Sequence, residues 1–232
     1  IPGLTGDDLE PIKKELSLLG TRMYIVKADG VEEGSYNEGM ALCYKTMARE
    51  AVDAPTELDR DSVNIVYELS WSLKTQDNYL RLSEILAALG IRVNCRFLYD
   101  CSINDVNGFL RAPYSLLARN DKLGLEIRKI FEEKYGCSFL DASLPMGFKE
   151  TEKFVRMIGK LYFKEEEAEA LTEKYRKLYD KELIPLRKEY EGKKAMICVG
   201  GGSMKRFGFL DRAESYLKEA GMEVRIFDGI ES

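Results

Sequence analysis

A short β-rich run, an amphipathic helix closed by glycine and a second β-rich run follow one another three times along this chain. That order restricts the fold more than any single residue does. Val63 to Glu68 (VNIVYE) and Ile91 to Leu98 (IRVNCRFL) are strand-like in length and in their β-branched and aromatic content. Between them, Asn78 to Leu89 (NYLRLSEILAAL) sets Leu82, Ile85, Leu86 and Leu89 on one helical face, and Gly90 follows where a helix end favours a left-handed residue. The order recurs at Gly6 to Val26, where Gly20 precedes a weaker strand at Met23 to Val26. It recurs again at Ala195 to Phe227, where AMICV and MEVRIF flank a helix ended by Gly221. A strand followed by a helix and then another strand places the two strands parallel with the helix packed across them. The expected class is therefore α/β, with parallel sheets flanked by helices.

Other helices announce themselves by caps and periodicity. Ser102 is placed to cap a helix from Ile103, with Asp105 as the reciprocal acid of a capping box. Lys122 to Tyr135 carries Leu125, Ile127, Ile130 and Phe131 in a stripe that Gly136 ends. From Glu150 to Tyr190 nearly every residue is a helix former, with breaks expected near Pro185 and Phe163. The charge-laced stretch EEEAEALTEKYRK reads as a solvated helix. Domain boundaries are expected near Ala54 to Arg60 and near Tyr190 to Lys194.

Charge and residue counts narrow the chemistry. With 35 basic and 40 acidic residues, a net −5, nothing draws the chain to nucleic acid or an anionic membrane. No histidine is present, which removes the commonest base near neutral pH and every Ser-His or Cys-His nucleophile scheme. The five cysteines (Cys43, Cys95, Cys101, Cys137 and Cys198) show no CxxC or metal-ribbon spacing, so a reduced, cytoplasmic protein is expected. No apolar run approaches the roughly 20 residues of a membrane span.

In parallel α/β sheets, ligands gather where strands end and helices begin. Four such turns supply candidates for a cofactor or substrate pocket. Gly200, Gly201 and Gly202 with Ser203 follow AMICV, and Arg206 lies one turn further on; the spacing matches neither GxGxxG nor GxxxxGK[ST]. Leu144 to Thr151 (LPMGFKET) offers Gly147, Lys149 and Thr151. Glu68 and Trp71, the only tryptophan, close the strand VNIVYE, Glu68 as an acid and Trp71 as a wall for a planar ligand. Cys101, across a strand end from Cys95, is a ligand or thiol candidate, though such a cysteine more often packs as a small apolar group. No catalytic residue or metal ligand is assigned.

Taken in order, Ile1 to Glu10 (IPGLTGDDLE), Val63 to Gly90, Arg128 to Gly136 (RKIFEEKYG), Pro145 to Thr151 and Tyr190 to Gly201 (YEGKKAMICVGG) resemble the component 1 proteins of the nitrogenase superfamily. The similarity is to the α-type subunit of dinitrogenase and its relatives. These include cofactor-assembly scaffolds, protochlorophyllide and chlorophyllide reductases, and the reductive cyclase of nickel-tetrapyrrole biosynthesis. The resemblance implies three Rossmann-like domains, pairing with a homologous subunit in a homo- or hetero-oligomer, and low-potential electrons from an ATP-dependent iron protein through an iron-sulfur cluster. A family cluster cysteine would lie just before Ile1, so the chain is expected to be a middle piece. Residues 1–58 would be the remainder of a first domain, 59–190 a second with a long helical connection, and 191–232 the start of a third.

Three departures from that pattern bear on function. Asn120 stands where the resemblance places the cysteine that holds the iron-molybdenum cofactor, Tyr44 or Lys45 where it places a histidine, and Ser203 where it places a pocket arginine. They imply an oxidoreductase of a substrate other than dinitrogen, without a molybdenum cofactor, a planar tetrapyrrole near Trp71 being one such substrate. The alternatives are a noncatalytic cofactor-assembly scaffold or a nicotinamide-binding module, since residues 200–230 also resemble the opening βαβ unit of iron-containing alcohol dehydrogenases.

Overall fold

The structure, a computed structural model, describes residues 8–26, 36–68, 74–142, 144–199, 202–206 and 208–227. These fall into two compact units, Ile1–Glu169 and Ala170–Ser232. In the first, helices α1 (Glu10–Leu18) and α2 (Tyr36–Glu50) precede strand β1 (Ser62–Val66). The chain continues through α3 (Lys74–Ala88), β2 (Arg92–Phe97), α4 (Ile103–Asn107), a short 3-10 turn, β3 (Tyr114–Leu117), α5 (Lys122–Tyr135), β4 (Ser138–Phe139) and α6 (Gly147–Leu161). Helix α7 (Glu165–Tyr190) carries the chain across the unit boundary. The three-domain partition expected from the sequence stays a proposal.

The four strands pair in the order β2-β1-β3-β4, every pair parallel. Val63 faces Val93 and Tyr114 across the ladders, and Val66 faces Phe97 and Leu117. All five β1 residues are buried, as a central strand covered on both faces requires. Its one amide, Asn64, is satisfied inside the sheet. It donates to the Phe109 carbonyl at 2.9 Å and accepts from the Asn94 side chain at 2.8 Å, beside the register shift between Val63 and Asn64. Beneath the sheet Phe109 stacks on Phe131 at 4.3 Å while Phe97 meets both edge-on. Tyr44 and Ala48 of α2 enter the same core.

The parallel α/β class and the principal strands and helices read from the sequence are present. Ser102 and Asp105 form the reciprocal capping box, and Gly90 and Gly136 close their helices with φ near +67°. Two expectations are corrected. Residues 23–26 form no strand. Helix α7 runs through Pro185 without ending, because the carbonyl that loses its partner, on exposed Lys181, faces water. The other break, expected near Phe163, is present between α6 and α7, where Phe163 takes φ +57° and the Lys164 N–H reaches back to the Gly159 carbonyl at 2.7 Å, a Schellman-type stop. Strands β3 and β4 were not legible in advance, being four and two residues long with Pro113 just before β3.

The second unit pairs β5 (Lys194–Cys198) in parallel with β6 (Glu223–Phe227), joined through α8 (Gly202–Arg206) and α9 (Phe209–Glu219). This is the βαβ order expected there. No helix among the described residues is long and apolar enough to cross a membrane.

Candidate functional site

From β1 the chain moves one way to β2, then returns to place β3 on the other side. The carboxyl ends of β1 and β3 are thus a topological switch point, where the following segments diverge and leave a crevice. The chain leaves β1 sharply, with Tyr67 buried at φ +63°. From β3 it leaves through Ala118, Arg119, Asn120 and Asp121 into α5.

Asp121 fastens that turn. Its Oδ1 caps α5 by accepting from the Gly124 N–H at 3.0 Å, and its Oδ2 lies 2.7 Å from the Arg119 guanidinium and accepts from the Tyr67 hydroxyl at 3.4 Å. Burial pushes the Tyr67 phenol up; Arg119 offsets part of that rise and Asp121 adds to it. Tyr67 therefore stands beside the crevice as a neutral hydrogen-bond donor at physiological pH. Asn120 is exposed, held between the paired Arg119 and Asp121. Tyr44 packs its ring edge-on to Tyr67 at 5.4 Å, while Lys45 reaches Glu126 of α5 at 2.6 Å.

Glu68, the next residue after Tyr67, turns toward β2. Both its oxygens accept from Arg96, at 2.8 and 2.9 Å, and the two side chains are 6% and 5% exposed. Arg96 also donates to Gln76 at 2.9 Å and lies over the Tyr79 and Tyr99 rings, 3.6 and 4.4 Å from their centroids. Burial pulls the Arg96 guanidinium down, and the Glu68 hydrogen bonds and charge more than compensate, leaving it raised. With both oxygens engaged by a buried guanidinium, Glu68 anchors the end of β1 to β2.

The remaining candidates separate. The loop from Leu144 into α6 leaves the carboxyl end of β4, so it belongs by topology to the same rim. There Gly147 takes φ +76°, Lys149 is exposed and the Thr151 hydroxyl donates to the Gly147 carbonyl at 2.9 Å. Arg206 is exposed on α8 of the second unit. Trp71, Gly200, Gly201 and the Ser203 side chain lie outside the described residues. Sequence reading missed Tyr67, Arg96, Arg119 and Asp121. The arginine within the otherwise strand-like IRVNCRFL was the available signal for Arg96, since a charge on a buried strand demands a partner. An open groove of about 560 Å³ lined by Leu58, Arg111, Tyr114, Tyr162 and Phe163 lies at the amino ends of the strands and contains none of the candidates.

The nitrogenase component 1 type oxidoreductase family model matches residues 1–227. The chain belongs to that family. It is 28% identical over 232 residues to the nitrogenase molybdenum-iron protein alpha chain of Methanococcus maripaludis, covering 98% of this chain and 46% of that one. A solved structure, "Nitrogenase Cp1 at pH 5", superposes with a TM-score of 0.65 at 17% identity over 96% of this chain and 43% of the other, which supports the fold. A shorter stretch of 53 residues, 23% of this chain, is 55% identical to the NADPH-dependent butanol dehydrogenase of Clostridium saccharobutylicum and covers 14% of it. The chain thus spans less than half the length of each of these proteins. Among the described residues no three His, Cys, Asp or Glu side chains converge as a metal-ligand set. The described cysteines do not fit an iron-sulfur cluster, which takes four ligands, mostly thiolates.

Proposed function

We propose that the full-length protein is a component 1 type oxidoreductase that takes electrons from an ATP-dependent iron protein and reduces a substrate other than dinitrogen in the β1/β3 crevice. Membership of the family supports the oxidoreductase class. The observation that carries the substrate reading is Asn120 in the turn after β3, where the family resemblance places a cofactor-holding cysteine. A neutral amide is a poor ligand for soft, iron-rich metal centres, so the crevice is suited to an occupant bound by hydrogen bonds and charge rather than by thiolate. Arg119, the Asn120 amide and the Tyr67 hydroxyl provide those contacts, and Tyr67 holds a proton beside them in a segment without histidine. Lys149 is a further cation of this reading, on the same rim with Gly147 and Thr151. Any iron-sulfur cluster is assigned to ligands outside the described residues, in a cytoplasmic assembly with a homologous subunit.

The test is anaerobic purification of the full-length protein with the products of neighbouring genes, followed by metal analysis and ATP-dependent reduction of dinitrogen and of tetrapyrroles. Iron without molybdenum, and reduction without ammonia formation, is the expected result. A molybdenum cofactor with ammonia from dinitrogen would overturn it. The dehydrogenase-like stretch favours a second reading, a nicotinamide-binding module. NADPH-dependent alcohol oxidation by iron-sulfur-free protein would decide for that one.

A further inference from the structure

The open groove of about 560 Å³ at the amino ends of the strands is lined by two arginines, Arg60 and Arg111. Neither has a counter-ion. Elsewhere in this unit Arg22, Arg92, Arg119 and Arg156 each lie against a carboxylate, as the excess of acidic over basic residues favours. Arg60 and Arg111 make no ion pair among the described residues. The acids on either side of Arg60 are committed to other cations, Asp59 to Arg92 at 2.9 Å and Asp61 to Lys164 at 3.4 Å. Two guanidinium groups are left to face the groove.

Local structure brings them to one place. The Asp59 N–H donates to the Arg111 carbonyl at 2.8 Å, so the segment entering β1 runs beside the segment entering β3. The Arg111 side chain lies over Gly108, where a Cβ would come within 3.2 Å of its Nε and Cζ. Only glycine leaves the guanidinium that room. Tyr114, the first residue of β3, also lines the groove, and its hydroxyl holds no protein partner among the described residues. The apolar wall is bare: Leu58 is 60% exposed and Phe163 is 89% exposed. Phe163 is fixed there at φ +57°, a backbone that bulky residues rarely adopt.

We propose that this groove binds a small organic acid, its anionic group held by Arg60 and Arg111 and its apolar, ring-sized body laid on Leu58 and Phe163. Charge and shape select that occupant together. The planar donor fork of arginine matches the oxygens of an organic oxyanion, and these two forks have no competing carboxylate in the protein. A neutral apolar molecule would leave both cations unmatched, and an inorganic anion would leave the ring and Leu58 uncovered. The volume lies within the roughly 300–1,000 Å³ of small-molecule sites, which sets the size of the occupant. The Tyr114 hydroxyl supplies a further hydrogen bond.

Cys137 lines the same groove and reports on its occupancy. Burial, with Glu132 adding to it, pushes its thiol up to about 11, so it is protonated and slow to alkylate even before a ligand covers it. Full-length protein is titrated with anilinonaphthalene sulfonate, an aromatic ring system bearing one anionic group, and with phenylnaphthylamine, the same rings without the charge. The sulfonate should bind saturably, raise the thermal midpoint and slow N-ethylmaleimide alkylation of Cys137, read on tryptic peptide 135–149, while alkylation of exposed Cys198 is unchanged. Arg60→Gln with Arg111→Gln, both exposed and unpaired, should weaken the sulfonate roughly tenfold and leave the neutral amine unaffected. Phe163→Asn, which keeps a residue tolerant of the left-handed backbone, should weaken both probes. Inorganic phosphate should displace neither. Sulfonate bound without protection of Cys137, equal affinity in the double arginine variant, or displacement by inorganic phosphate would overturn the assignment, as would the absence of saturable binding. Protection of Cys137 is read on unsubstituted protein, so it decides the matter even if a variant does not fold.

Discussion

Replacing Glu68 with alanine leaves Arg96 buried without its counter-ion. The Glu68 and Arg96 side chains are 6% and 5% exposed, and two charge-assisted hydrogen bonds of 2.8 and 2.9 Å join them. Removing one partner of a buried pair costs about 3–5 kcal/mol, most of it the desolvation of the charge left behind. The Tyr79 and Tyr99 rings and Gln76 hold Arg96 equally in both proteins and do not change the difference. Asp100, 77% exposed and 3.7 Å from Arg96, can move in and recover part of the loss. The expected cost of Glu68→Ala is therefore at the lower end, about 3 kcal/mol. Urea unfolding followed by the fluorescence of Trp71, the only tryptophan and three residues along the sequence from Glu68, measures it. The double variant Glu68→Leu with Arg96→Met, which removes both charges and retains apolar volume, should return to within about 1 kcal/mol of the parent protein. A Glu68→Ala cost below about 1 kcal/mol, the range of exposed ion pairs, would refute the reasoning, as would a loss that vanishes in high salt.

Two further substitutions test the packing around the sheet. Tyr162→Phe removes the hydroxyl that donates to the buried Ser62 carbonyl at 2.8 Å and should cost about 1–2 kcal/mol in urea unfolding, with turnover unchanged because this bond lies at the amino end of β1. Gly124→Ala would set a Cβ 2.1 Å from the Arg119 carbonyl and 3.0 Å from the Tyr67 ring. It should lower the thermal midpoint and ATP-dependent reductase activity together, by about 1–3 kcal/mol or more in stability, because the Arg119–Asp121 turn must shift to admit it. Full activity in Gly124→Ala would remove the β3 turn from the site.

Much of the site's setting was legible because local rules govern it. Gly90 and Gly136 mark helix ends by the left-handed backbone they adopt, and Ser102 with Asp105 marks a helix start by a bond between residues three apart. Such signals need no knowledge of the rest of the chain. The site itself was less legible. Glu68 was identified from its place at a strand end, but its partner lies 28 residues away, and only pairing of β1 with β2 makes the acid an anchor. Arg119 and Asp121 were hidden because β3 is too short to show a period and follows a proline.

The division between sequence and tertiary structure follows the range of the forces. Hydrophobic periodicity, caps and glycine positions act within a few residues, and they determined the α/β class, most helix boundaries and the parallel direction of the strands. The absence of histidine likewise limited proton donors to acids, phenols, lysine, thiols and water. The strand order β2-β1-β3-β4 was decided by packing, since any order of parallel strands satisfies the same local rules. That order places the crevice between β1 and β3, brings Tyr67 to the Arg119–Asp121 pair and seals Glu68 against Arg96. The Glu68–Arg96 pair depends on burial, which removes water as a competing partner and makes a charge depend on whichever side chain the fold sets beside it.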